Sequence, residues 1–299
     1  LPFAIAEATF KVSVLPADKK DRPMMIKLLS TDFDGTLVNH DARPPVAPGL
    51  FDCFAELRRH GVLWAVNTGR ALEHIVEGLE EFKFPFAPDY VLTTERHVFR
   101  PSGNGLGWDD FGDWNLRCER AHQELFATAR PLLESIATFV ESRTRGQMIY
   151  EDGLPAGLIA GSDAEMDSVV EFIEETRGAG HPAFHYQRNT LYLRFCHMDY
   201  SKGAALGELG RLLDISRDEI FATGDHFNDI EMLDGRFAKW VACPGNSTEL
   251  VKETVRKAGG HVARGICGAG VVESLDYFFS GQGVAAADGT EGLSFKSLK

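Results

Sequence analysis

The sequence has no stretch approaching the ~18 consecutive apolar residues that a membrane-spanning helix requires, so no membrane partner is expected. It also lacks a surplus of positive charge: 31 Lys and Arg stand against 44 Asp and Glu, a net charge of −13. So acidic a chain is poorly suited to gripping nucleic acid or an anionic surface by bulk charge. An anionic substrate would need a local cation to offset the field. Cysteine is scarce and scattered: Cys53, Cys118, Cys196, Cys243 and Cys267 form no CxxC pair and are odd in number. This argues against a disulfide framework or a cysteine-based zinc site, and suggests small buried hydrophobes in a reducing cytoplasm. No internal repeat is present. The opening LPFAIAEATF is interrupted by Glu7 and has no basic flank, so it does not read as a signal peptide.

What is present is ordinary globular composition: 299 residues, 44% hydrophobic and 25% charged, enough for one large domain or two smaller ones. Residues 1–24 lack clear periodicity and read as an N-terminal extension. Residues 281–299, rich in Gly, Ala and Ser, read as a tail with little to bury.

Between these ends, apolar runs alternate with helical periodicity. IKLLSTDF (26–33), VLWAVNT (62–68), DYVLTTE (89–95), EIFATGD (219–225) and KWVAC (239–243) read as buried strands. Helices are expected over about 49–60, from Leu72 to Leu79, and from Ser201 to Leu213, with Asn246 and Glu249 as the capping box of a further one. Buried strands joined by helices imply a doubly wound parallel sheet, whose ligands bind outside the carboxyl ends of the strands. The middle differs. Helical stretches at about 115–129 and 131–143 lead into QMIYED (147–152) and AGLIA (156–160). A helix capped by Ser162 then runs to Arg177, and AFHYQ (183–187) and TLYLRF (190–195) follow, parted only by Arg188 and Asn189. Paired strands with short turns suggest an antiparallel sheet. The expected organisation is an α/β Rossmann-like core (25–112 and 197–280) with an inserted α+β domain at 113–196.

Acidic residues fall at the strand ends. Asp32 and Asp34 stand two apart in DFDGT, where Gly35 lets the chain bend so that the carboxylates take different roles. Asp225 and Asp229 add two more. Clustered carboxylates are costly unless a cation or proton intervenes, and hard oxygen ligands suit Mg²⁺. Thr68 and Gly69 end the second strand, where a hydroxyl and backbone N–H groups either hold a phosphate oxygen or simply make the turn. Lys202 opens a helix, against the dipole preference, as a solvated residue or as the partner of a bound phosphate.

DFDGT (32–36), TGR (68–70), Lys202 in YSKG and GDHFND (224–229) together resemble the four motifs of the haloacid dehalogenase-like phosphatases, in the same order and at the corresponding strand ends and helix start. The insertion resembles the type IIB cap of the sugar-phosphatase branch, which includes the Cof-like and sucrose-phosphate phosphatases. The resemblance implies Asp32 as nucleophile, Asp34 as general acid and base, and Thr68, Gly69, Lys202 and Asn228 as phosphate-binding residues. It further implies that Asp32, the Asp34 carbonyl, Asp225 and Asp229 hold or support Mg²⁺, with a small phosphorylated metabolite, a sugar phosphate, as substrate. Arg188 and Asn189, at the expected hairpin tip, are the candidates for substrate specificity. Many Cof-like members carry Asn-Gly-Ala after the third strand, where this chain has Thr94, Glu95 and Arg96. Two other readings stand beside this one: a phosphotransferase like the phosphomannomutases, and a non-catalytic binding protein.

Overall fold

The first apolar run forms a strand because both faces of the sheet it enters are covered. All four residues of Leu28–Thr31 are buried, with Leu28 in one hydrophobic cluster and Leu29 in another. The computed structural model describes residues 26–103, 107–151 and 153–279. The expected N-terminal extension (1–24) and tail (281–299) lie outside the described residues.

In chain order the elements are β1 (Leu28–Thr31), α1 (Leu50–Arg59), β2 (Leu63–Asn67), α2 (Leu72–Glu81), β3 (Tyr90–Thr93), β4 (His97–Pro101), β5 (Trp108–Asp110), α3 (Trp114–Thr128), α4 (Arg130–Arg143), β6 (Gln147–Glu151), β7 (Leu154–Ile159), α5 (Asp163–Arg177), β8 (Phe184–Asn189), β9 (Tyr192–His197), α6 (Lys202–Leu213), β10 (Ile220–Thr223), α7 (Ile230–Leu233), β11 (Trp240–Cys243), α8 (Glu249–Lys257), β12 (His261–Val262) and α9 (Cys267–Phe279). The larger sheet has the order β12-β11-β10-β1-β2-β3-β4-β5. It is parallel from β12 to β3, and β4 and β5 extend it antiparallel. Residues of α1, α2 and α9 pack on one face, and those of α6, α7 and α8 on the other. This is the expected doubly wound α/β core.

The second sheet, β6-β7-β9-β8, is antiparallel throughout. Leu158, Leu193, Phe195 and Phe184 bury one face of it against Leu133, Ile136 and Val140 of α4 and Val169 and Ile173 of α5. Strand alternation turns His185, Gln187, Tyr192, Arg194 and Cys196 to the opposite face, where His185 pairs with Cys196 and Gln187 with Arg194. Helix α3 belongs to both layers: Trp114 and Cys118 join the cluster under the large sheet, and Leu125 joins that of the small one.

Three local expectations are corrected. Arg188 and Asn189 are not the tip of the β8–β9 hairpin: they pair with Leu193 and Tyr192, and Thr190 (φ 49°) and Leu191 make the turn. Glu95 does not end β3. Thr94 and Glu95 occupy the left-handed region (φ 48° and 67°) in a tight turn closed by Arg96 N–H donating to Thr93 O at 3.0 Å. Asn246 does not cap α8. Thr248 does, accepting from Val251 N–H, while Asn246 donates to Gly35 O and accepts from Cys267 N–H. Ser162 caps α5 as expected. Strands β4, β5 and β12, which the apolar pattern does not mark, complete the sheet edges. All five cysteines are buried and free, and no described helix is long and apolar enough to cross a membrane.

His122 of α3 ties the two layers together. Its Nδ1–H donates to Cys118 O at 2.8 Å, and Nε2 accepts the backbone N–H of His197, at the end of β9, at 3.1 Å. Burial, reinforced by the nearby Arg96 charge, pushes its pKa down to about 4. The unfolded histidine takes up its proton near pH 6.5, so this group favours the folded state above that pH. Its contribution is lost as pH falls from about 6.5 to about 4, by roughly 1.4 kcal/mol per pH unit at most. Equilibrium denaturation of wild type and His122→Gln across pH 4–7 should show a shallower loss of stability in the variant; parallel slopes would contradict this account.

Candidate active site

The carboxyl ends of β1, β2 and β10 and the N-terminus of α6 converge on one point. Asp32 follows β1, its N–H donating to Thr223 O at 2.9 Å across the sheet. The next residues cannot continue as strand. Phe33 turns into the core, and Gly35 at φ 75° folds the chain back. A Cβ at Gly35 would stand 2.5 Å from Asp225 Oδ2, so only glycine lets this loop lie against the carboxylate that ends β10. Thr36 closes the contact by donating to Asp225 Oδ1 at 2.8 Å.

Lys202 sits in the first turn of α6, behind the Ser201 cap, and its side chain is 0% exposed. Its ammonium lies 2.8 Å from Asp32 Oδ1 and 2.7 Å from Asp229 Oδ1. The other Asp229 oxygen accepts the N–H groups of Asp225 and His226 at 2.9 and 3.0 Å. Asp229 therefore fixes both the lysine and the loop that carries Asp225. Asn67, at the end of β2, holds the start of α6 through Lys202 O at 2.9 Å.

Oxygens of Asp32, Asp225 and Asp229 all lie within 4.8 Å of one another. Three carboxylates crowd around one ammonium, which bonds two of them, Asp32 and Asp229, in a buried site. Lys202 is kept charged: burial opposes the charge, but Asp229 and Asp32 outweigh it and move its pKa up. The remaining negative charge is uncompensated. Burial, with Asp229 and Asp225 adding, pushes Asp32 well above the usual carboxylate range, and burial with Asp229 raises Asp225 to about 7. A cluster short of positive charge, made of hard oxygen donors, fits a divalent cation such as Mg²⁺.

Asp34 lies outside this cluster. Its carboxylate accepts from Arg70 Nε at 2.7 Å and Nη2 at 2.6 Å, and contacts His40 Nε2 at 2.7 Å. Burial would raise its pKa, but the hydrogen bonds and charges of Arg70 and His40 prevail and lower it. Arg70 is itself placed by Phe33, whose ring centre lies 5.0 Å from the guanidinium, and by Gly78 of α2, where a Cβ would come within 2.7 Å of Nη1. Thr68 is buried, and its Oγ1 accepts Arg70 N–H at 3.1 Å, with Gly69 between them. Asn228 is buried and donates to Glu95 Oε1 at 2.8 Å, and Glu95 also lines Gly69.

Asp32, Lys202, Asp225 and Asp229 are thus brought into direct contact, with Thr68, Gly69 and Asn228 around them. Arg188 sits on the other side of a cleft of about 400 Å³, lined also by His185, Gln187, Phe227, Asn228 and Leu250. Its guanidinium stacks 5.5 Å from the Phe227 ring centre and pairs with Asp167 at 2.6 Å. Asn189 stands at the exposed end of β8. The hairpin touches the core through Thr190, whose Oγ1 is 3.1 Å from His226 Nε2. Sequence reasoning missed Arg70 as a partner of Asp34, although it stands in the TGR segment. It missed Thr36 beside the early aspartates too, and nothing in the pattern signals His40.

The haloacid dehalogenase-like hydrolase family matches residues 158–264. A candidate phosphatase of Streptococcus pyogenes is 22% identical over 239 residues, covering 71% of this chain and 85% of that one. Among solved structures, the sucrose-phosphatase of Synechocystis, in complex with sucrose and phosphate, superposes with a TM-score of 0.63 at 20% identity, over 85% of this chain and 98% of that one. A sugar phosphatase of haloacid dehalogenase subclass IIB does so with a TM-score of 0.59 at 16% identity, over 84% and 98%. The core, the inserted antiparallel sheet and these matches agree: over residues 158–264 the chain is similar to the haloacid dehalogenase-like hydrolases, and it shares its fold with these solved phosphatases.

Proposed function

We propose that the chain is a haloacid dehalogenase-like hydrolase, a Mg²⁺-dependent phosphatase that cleaves a small phosphate monoester through a covalent phosphate on Asp32. The observation that carries the reading is the sharing of Lys202 between Asp32 and Asp229, with Asp225 alongside. Asp32, Asp225 and the Asp34 carbonyl would hold the ion, with Asp229 behind them. When bound, it would offset the charge of nucleophile and phosphate so that the two approach. Lys202 fixes the direction in which Asp32 presents its oxygen, and its ammonium faces the incoming phosphate. Thr68, the Gly69 backbone and Asn228 surround the remaining phosphate oxygens.

In the first step Asp32 attacks phosphorus, the ester P–O bond breaks, and the leaving oxygen takes a proton from Asp34. In the second, water attacks phosphorus, yields its proton to Asp34, and the Asp32–phosphate bond breaks to release inorganic phosphate. Arg70 and His40 orient Asp34 but favour its charged form, which suits the second step and opposes the first. The leaving group would lie toward the small sheet, which we propose acts as the cap (113–196) that selects substrate. The His, Gln, Arg and Asn side chains of the cleft can hydrogen-bond a phosphorylated sugar, and the fold is shared with a sucrose-phosphatase. Arg188, on the cleft, and Asn189, beside it, remain the proposed specificity residues of this hairpin.

Asp32→Asn should remain folded and lose at least about 10³-fold in kcat on p-nitrophenyl phosphate, because an amide cannot form the acyl phosphate. Wild-type turnover in that variant would refute the mechanism.

Metal dependence should be coupled to pH. The folded Asp225 keeps its proton up to about pH 7, whereas an unfolded aspartic acid releases it near pH 4. Without metal, this group favours the folded state at low pH, and its contribution fades as pH rises from about 4 to about 7. Mg²⁺ binds the deprotonated form, so the rise in melting temperature on adding Mg²⁺ should be larger at pH 8 than at pH 5.5, and EDTA should abolish activity. A shift independent of pH, or full activity in EDTA at verified zero metal content, would remove the assignment.

Arg70→Gln should raise the pKa of Asp34 towards its ordinary value or beyond. If Asp34 is the general acid of the first step, the alkaline limb of kcat/KM should move to higher pH while kcat falls. An unmoved limb would separate Asp34 from that role.

A further inference from the structure

The turn between β3 and β4 carries two charged side chains that the mechanism above leaves without a task. Arg96 is only 8% exposed, and its guanidinium has no hydrogen-bond or ion-pair partner among the described residues; its Nε is fully buried. Glu95 is 4% exposed. One of its oxygens accepts from Asn228, and the other, Oε2, is buried without a partner. Leaving a buried guanidinium without an acceptor is costly, and so is placing the β-branched Thr94 at a positive φ. Both costs fall in one three-residue turn. That turn is fastened to the phosphate-binding segment: Thr94 N–H donates to Arg70 O at 2.9 Å and Glu95 N–H to Thr68 O at 3.1 Å. Trp114 Nε1 holds Arg96 O at 2.6 Å from the other side. Strain and unmet polar groups of this kind collect where a ligand completes the structure.

The turn reaches the cleft through Glu95: Asn228, which donates to Glu95 Oε1, lines that cleft. His185 and Gln187 of β8 line it too.

We propose that Arg96 and Glu95 form a subsite for the leaving group, in which Arg96 binds a carboxylate and Glu95 Oε2 accepts a hydroxyl. The substrate class is then a phosphorylated sugar acid or similar hydroxy acid rather than a neutral sugar phosphate. A planar guanidinium matches a carboxylate in a bidentate fork. The neighbouring Glu95 carboxylate disfavours a second phosphate dianion, whereas a hydroxy acid brings one negative charge for Arg96 and a donor for Glu95. This rests on the phosphatase reading of the Asp32 site.

The test compares 6-phosphogluconate, glucose 6-phosphate and p-nitrophenyl phosphate on wild type, Arg96→Met, Arg96→Lys and Glu95→Gln. Wild type should prefer 6-phosphogluconate to glucose 6-phosphate by at least about 10-fold in kcat/KM. Arg96→Met should lose about 10–100-fold on the sugar acid, the worth of one charged hydrogen-bonded pair, and change little on p-nitrophenyl phosphate. Arg96→Lys should recover part of the loss, and Glu95→Gln should weaken both sugar esters more than it weakens p-nitrophenyl phosphate. Because Arg96→Met removes an unpaired buried charge, its melting temperature without ligand should match or exceed that of wild type. Sodium gluconate should raise the melting temperature of wild type but not of Arg96→Met. A wild-type preference for glucose 6-phosphate, or equal losses on all three esters in Arg96→Met, would overturn the subsite. If wild type hydrolyses none of the three, the phosphatase reading fails, and the gluconate shift then decides the subsite alone: present it stands, absent it falls. Should Arg96→Met not fold, the wild-type preference and the Lys and Gln variants carry the same decision.

Discussion

The ammonium of Lys202 is fully buried and touches two carboxylates that stand 170 and 27 residues away in the chain. A lysine is tolerated at 0% exposure only when its charge is met, and here Asp32 and Asp229 meet it. That requirement fixes three pieces of backbone at once. The carboxyl end of β1 must deliver Asp32, the loop after β10 must deliver Asp229, and α6 must begin within reach of both. Asn67, from the end of β2, secures the start of α6, so the centre of the parallel sheet and its lysine-bearing helix are locked to one another. The lysine also leaves a debt of charge, since it is outnumbered by Asp32, Asp225 and Asp229. The raised pKa values of Asp32 and Asp225 express that imbalance. In an acidic chain, this cluster is therefore the place whose unbalanced charge would attract a further cation.

Close approach of backbone to carboxylate sets the second constraint. Gly35 lies against Asp225, and a Cβ at Gly224 would stand 2.3 Å from Asp229 Cγ. These glycines admit no side chain because the acids they border occupy the space. The loop after β1 thus has two outcomes for its two aspartates. Asp32 turns inward to Lys202, while Asp34, past the bend, turns outward to Arg70 and His40. Two residues in sequence separate a carboxyl whose pKa burial raises from one whose pKa Arg70 and His40 lower against burial.

Much of this was legible because it rests on patterns the chain cannot avoid. A parallel strand buried on both faces must be apolar throughout, which marks 28–31, 63–67 and 220–223 without any alignment, and the polar residues that end such runs can only fall at the sheet's carboxyl edge. What was not legible depends on neighbours distant in sequence. The edge strands β4 and β5 are short and half exposed, so no apolar run announces them. At the β8–β9 hairpin, Arg188 and Asn189 look like turn residues. Yet Arg188 is held in the strand by Asp167 and Phe227, and the positive φ falls on Thr190 instead. Asn246 offers a cap to α8 but is claimed by Gly35 O and Cys267 N–H, contacts between segments far apart in the chain. The pairing of Asp34 with Arg70 is of the same kind.

The distribution of the hydrophobic clusters bears on how chemistry and selection divide within the molecule. The small sheet has its own cluster with α4 and α5, which shares no buried residue with the two that flank the large sheet. Its stability therefore does not depend on the side chains it turns toward the cleft. The layers are linked through α3, which joins a cluster of each, through Arg188 stacked on Phe227, and through the polar contacts of His122 with His197 and Thr190 with His226. His185 and Gln187 line the cleft and belong to none of the hydrophobic clusters. Changes at the lysine–aspartate centre, by contrast, disturb both charge and packing. The turn at 94–96 stands between these regimes. It grows from the large sheet, is bonded to the segment that carries Thr68, and holds through Glu95 the Asn228 side chain that lines the cleft. The turn that joins the Thr68 segment to the cleft is thus also the one where the backbone carries strain, with Thr94 and Glu95 at positive φ.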